Sequence, residues 1–129
     1  MAKQFTLGKN ERLKSRKSIE QLFREGKKMV VVPYRILYKL TSPVKEPSLL
    51  FAAGVSAKNF KKAVDRNRIK RLTKEAWRLQ KNELAQKITT TNVQLNVFCI
   101  YTGSTVPGYE EVFKKVGIVV RKLEKLATE

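Results

Sequence analysis

Six of the sixteen residues 63–78, AVDRNRIKRLTKEAWR, are Lys or Arg, and five of those six fall within nine positions. Groups of this kind bind phosphate. Arginine offers a planar fork of donors that matches phosphate oxygens and base edges, and lysine offers a point charge. Asn67 adds an amide that both donates and accepts. Like charges spaced i,i+4, such as Arg66–Lys70 and Lys70–Lys74, cost an isolated helix a few tenths of a kcal/mol each. Only Asp65 and Glu75 offset them within three turns. A ligand carrying phosphates cancels that repulsion and releases counterions as it does so.

Catalytic chemistry is poorly supplied. The chain has no histidine, and Asp65 is its only aspartate. That removes a histidine base, a histidine-ligated zinc and an aspartate-rich two-metal site. Glu110 and Glu111 are adjacent, so on a helix they point apart and make a poor metal pair. Cys99, the only cysteine, sits in the apolar run VFCIY and reads as a small core residue. One cysteine allows no internal disulfide, which fits a reducing compartment. The first residues lack the apolar stretch of a secretory signal, and no run is long enough to span a membrane. The expected location is the cytoplasm.

The balance of 28 Lys and Arg against 11 Asp and Glu gives a formal charge of +17. Self-repulsion of that size points to a polyanionic partner, nucleic acid before an anionic membrane. A merely solubilising surface is the third reading.

The elements that must position these groups follow from pattern. The length of 129 residues suits one domain, with residues 1–6 and 127–129 frayed. RKSIEQLFRE at 16–25 puts Ile19, Leu22 and Phe23 on one helical face, with Ser15 or Ser18 as cap and Gly26 as stop. MVVVPYRILYKL at 29–40 reads as strand, split by Pro33. Residues 49–57 are a buried strand, 58–62 a loop, and 64–84 one long basic helix. A strand near 94–102 and a helix over 109–127 complete an α-β-β-β-α-β-α order. The fold class is α+β, a small two-layer sandwich with helices on one sheet face. On the basic helix, Ile69, Leu72, Ala76 and Leu79 form the core stripe. Asn67, Lys70, Arg71, Lys74 and Arg78 fall opposite, and Arg66 and Arg68 flank the stripe near the helix start.

These residues also resemble a known signature. RNRIKR at 66–71, with AV at 63–64 and KEAWR at 74–78, resembles that of the bacterial ribonuclease P protein subunit. GKNERLKSRKSIEQLFREGK at 8–27, RILYKL at 35–40 and FAAGVSAK at 51–58 are similar to further parts of that family. The likeness spans about residues 7–126. It implies a ribosomal-protein-like domain with a left-handed βαβ crossover, against the right-handed rule for such units. It implies a catalytic RNA partner in 1:1 ratio, precursor tRNA as substrate, and endonucleolytic removal of the 5′ leader. The chemistry then belongs to the RNA and its Mg²⁺, and the protein alone is not catalytic.

Carried over residue by residue, the resemblance makes Arg66, Asn67, Arg68, Lys70 and Arg71 the RNA-facing signature, extended by Lys74 and Arg78. It assigns Ile19, Phe23 and Tyr38 to a cleft for the single-stranded leader, with Lys58, Lys61 and Lys62 on its approach. Aromatic faces there stack on bases without demanding a sequence. The chain departs from the pattern at three places. Ile19 stands where an aromatic is common. Phe60 and Lys61 stand where a glycine usually lies, which makes Phe60 a candidate exposed platform. Tyr101 and Thr102 replace an arginine. The alternative function is a general RNA-binding or ribosomal-type protein without a processing role. A protein nuclease lacks the groups it needs, and a membrane role is disfavoured because the basic helix uses its apolar stripe in the core.

Overall fold

The computed structural model of the chain describes residues 13, 16–42, 44 and 46–128, the last by its backbone. The candidate cap Ser15 and the expected frayed stretch 1–6 lie outside the described residues. Eight elements follow one another: α1 (Arg16–Glu25), β1 (Lys27–Val31), β2 (Tyr34–Thr41), β3 (Ser48–Val55), α2 (Ala63–Gln80), α3 (Asn82–Thr91), β4 (Gln94–Tyr101) and α4 (Tyr109–Thr128). Ala127, expected in a frayed end, is buried within α4.

The strands form one sheet in the order β1-β2-β4-β3. β1 and β2 make an antiparallel hairpin that turns at Val32–Pro33, where proline's missing N–H costs no ladder bond. β2 pairs antiparallel with β4, and β3 pairs parallel with β4. A parallel pair needs a crossover, and α2 with α3 supply it.

Alternation along β4 sorts the layers. Leu95, Val97, Cys99 and Tyr101 are buried in a core shared with α2, α3 and α4. Phe98 and Ile100 point the other way, to a smaller cluster of Leu13, Leu22 and Leu37 under α1. The α+β class stands, but α1 covers the face opposite the other three helices rather than sharing theirs.

The basic segment also differs from its expected form. Instead of one helix over 64–84, α2 stops at Gln80, Lys81 bridges, and α3 continues to Thr91. The order is therefore α-β-β-β-α-α-β-α. α3 buries Leu84 and Ile88, an i,i+4 pair on one face. The hydroxyls of Thr89, Thr90 and Thr91 donate back to the carbonyls of Ala85, Gln86 and Lys87, which satisfies a threonine run in helical form. Asn92 ends α3 at φ 54°, the left-handed conformation asparagine tolerates.

Candidate nucleic-acid interface

α2 is fixed to the sheet through Ile69, Thr73, Ala76 and Trp77, all buried. Trp77 stacks on Phe51 of β3 with ring centres 4.2 Å apart and planes 11° from parallel. The Thr73 hydroxyl donates to Ile69 O at 2.9 Å, and the Tyr34 hydroxyl lies 2.7 Å from Thr73 Oγ1. Burial pushes the Tyr34 phenol up, so it remains a neutral donor. The stripe is thus rotated toward Thr73 and Trp77. Leu72 packs at its edge, and Leu79, expected in the core, is 39% exposed.

That rotation decides which cations face outward. Asn67, Arg68, Arg71 and Lys74 are exposed and Lys70 is half-buried. None of these five side chains makes a hydrogen bond or ion pair among the described residues. Arg78 behaves differently. Its Nε donates to Glu75 Oε1 at 3.0 Å, and its Nη2 donates to Glu75 Oε2. The hydrogen bond from Arg78 holds the Glu75 carboxyl below its ordinary range and raises Arg78 in return.

Arg66 is also committed. Its Nη1 donates to Phe60 O at 2.7 Å and Lys61 O at 2.9 Å, in the loop that opens α2. Phe60 in that loop is only 6% exposed, 6.1 Å from the Tyr101 ring, so the expected platform is a core residue. Tyr101 is buried as well, and its hydroxyl donates to Thr105 O at 2.8 Å. Lys58, Lys61 and Lys62 are exposed.

A second surface lies under α1. Ile19 is half-buried against the small cluster. Phe23 is 55% exposed and meets Phe98 edge to face, 5.8 Å between centres. Phe98 in turn lies over Gly54, where an added Cβ would come within 2.7 Å of its Cε1. Tyr38 does not join them. It packs on the opposite sheet face against the three-helix core and lines a cavity of about 430 Å³ with Leu95, Leu123 and Leu126. The aromatic partner of Phe23 is therefore Phe98, which the sequence reading passed over. Its signal was there: an inward Cys99 turns its neighbour Phe98 outward, and a glycine inside strand 49–57 marks a close approach. Arg35, exposed and paired in register with Val30 and Ile100, puts a cation on this same face.

Among the described residues no three of His, Cys, Asp or Glu converge. No described helix is long and apolar enough to cross a membrane.

The chain is similar to known proteins in sequence and in fold. The family model for Ribonuclease P matches residues 7–124. The ribonuclease P protein component of Porphyromonas gingivalis is 35% identical over 108 residues, 84% of this chain and 79% of that one. That of Chlorobium phaeobacteroides is 29% identical over 128 residues, 92% and 88% of the two chains. The solved structure of the Staphylococcus aureus RNase P protein superposes with a TM-score of 0.66 at 16% identity, over 88% of this chain and 95% of that one. At that identity the likeness speaks for the fold.

Proposed function

This chain belongs to the ribonuclease P protein family, as a protein component of the ribonuclease that matures tRNA 5′ ends, and we propose that it works there by binding RNA at two surfaces. The first is the outward ridge of α2. Asn67, Arg68, Lys70, Arg71 and Lys74 hold the backbone of the catalytic RNA. The observation that carries this reading is their arrangement: a helix pinned by Trp77 and Thr73, with these polar groups facing out and unpaired among the described residues. Fixing the helix beforehand removes much of the ordering that binding would otherwise require.

The second surface is the ledge of Phe23 and Phe98, which takes bases of the single-stranded 5′ leader of precursor tRNA. Stacking contributes about 1–3 kcal/mol per base. Arg35 beside it holds the leader backbone. The protein contributes no reacting group. Mg²⁺ is held by the RNA, and the protein's cations lower the amount required by neutralising phosphates. The complex is 1:1 and cytoplasmic.

The test is cleavage of a precursor tRNA bearing a 5′ leader at low Mg²⁺. Protein alone, bacterial catalytic RNA alone and the two together are compared. Cleavage at the mature 5′ end only in the mixture is expected. A mixture no better than RNA alone, or one binding leader-bearing and mature tRNA equally, would favour a general RNA binder.

A further inference from the structure

The loop between β3 and α2 carries three lysines on a backbone that is already held in place. Ser56 N–H donates to Tyr101 O at 3.1 Å, and Asn59 N–H donates to Ser56 O at 3.2 Å. The Asn59 side chain donates through Nδ2 to Thr102 O and Gly103 O, both at 3.1 Å, tying the loop to the segment after β4. Phe60 is sunk beside Tyr101. Arg66 closes the far side by holding the carbonyls of Phe60 and Lys61. Lys58, Lys61 and Lys62 project outward from this frame, and Lys62 is the residue from which α2 starts.

We infer that residues 56–62 form a preorganised phosphate-binding loop continuous with the α2 ridge, and that Arg66 is its positioning residue rather than a phosphate ligand. The inference rests on the reading that α2 binds the catalytic RNA. Helix geometry supports the division of labour. Arg66 sits one turn before Ile69 and Lys70, on the flank that turns toward the core, and its guanidinium runs back to the loop. Arg68 and Arg71 lie on the outward face. Arg66 thereby sets where the lysines stand relative to the ridge. It also assigns those lysines to the RNA that α2 binds, and not to the leader cleft.

The experiment is a double-mutant cycle on the full chain, titrated with bacterial catalytic RNA in the absence of precursor tRNA. The paired change Lys61→Gln, Lys62→Gln should weaken binding on the order of tenfold and flatten the log–log salt slope by about 1.5–2. In an Arg66→Met background the same pair should cost less than about threefold, because the lysines are already misplaced. In an Arg71→Gln background the losses should multiply. Asn59→Ala, which removes no charge, should reduce the lysine effect as Arg66→Met does, and it serves if Arg66→Met does not fold. Losses from Arg66→Met that multiply with those of the lysine pair would make Arg66 an independent anchor and overturn the inference. So would a lysine effect undiminished by Asn59→Ala. A wild-type chain that fails to bind this RNA overturns the functional reading instead.

Discussion

Glu75 sits in a ridge of cations and takes one of them out of play. Its carboxylate accepts two bonds from Arg78, and it is the one acid on the outward side of α2 beyond the first turn. Glu75→Gln should tighten binding to the catalytic RNA by about three- to tenfold at low salt, an advantage that shrinks as salt rises. The Glu75 carboxyl is held below its ordinary range, so it stays ionised from neutral pH down into mild acid. Binding should therefore not respond to this pair between about pH 6 and 9. Filter binding of both forms across salt and pH checks this, and equal affinities would show that Arg78 never reaches the RNA. A second substitution separates the two surfaces. Gly54→Ala pushes a methyl into the Phe98 ring, at an expected cost of about 1–3 kcal/mol. It should weaken leader-bearing tRNA in the assembled complex and leave catalytic-RNA binding unchanged. At this scale the sequence shows residue types and hides partners. Arg66, Arg71 and Arg78 are the same letter in the same run, yet one braces a loop, one faces out and one is paired. What separates them is the rotation of α2, set by Trp77 finding Phe51 of another strand.

Local patterning made most elements legible. α1 matches its expected bounds, and the strand split at Pro33 is where proline demands it. α3 was not legible, because three consecutive threonines favour extended chain until their hydroxyls bond back to the helix. No glycine or proline marks the break at Lys81 either. Nor does amphipathicity reveal which sheet face a helix takes, so Tyr38 and Phe23 were grouped although the sheet lies between them. α1 itself is docked by Leu22 and Ile19, and its last residue Glu25 accepts a 3.1 Å bond from Lys39 Nζ. That bond from Lys39, then one from Gln21, holds the Glu25 carboxyl below its ordinary range. A depressed carboxyl stabilises above its unfolded pKa and loses that contribution as pH falls through the folded value. Acidification through the carboxylate range should therefore loosen the end of α1. The cross-peaks between the Phe23 and Phe98 rings in nuclear magnetic resonance spectra should fade with it. Glu25→Gln should make those cross-peaks weaker at neutral pH and remove the acid step. An unchanged acid step in that variant would place the titration elsewhere.

Across the whole molecule the two cores and the net charge oppose each other. Burial favours the compact state, and +17 spread over 129 residues repels it. Anything that binds the folded chain and not the unfolded one shifts the balance by mass action. Polyvalent anions should do this through the α2 ridge and the lysine loop, where Lys58, Lys61, Lys62, Arg68, Arg71 and Lys74 are all exposed. Cys99 reports the outcome without any label being added to the surface. It is the chain's single cysteine, is wholly buried in the three-helix core, and its thiol is pushed up by that burial. A thiol reagent reaches it only when the sheet and helices part. In buffer of low ionic strength Cys99 should label readily, and sulfate should slow the reaction well beyond chloride of equal ionic strength. The excess of sulfate over chloride separates bound anions from general screening. Substituting Arg68, Arg71 and Lys74 together by Gln should make labelling slower in low salt, since repulsion falls, and should remove most of the sulfate excess. A labelling rate that ignores salt altogether would mean that the cores hold against the charge unaided, and that the ridge is tolerated for binding without limiting the fold.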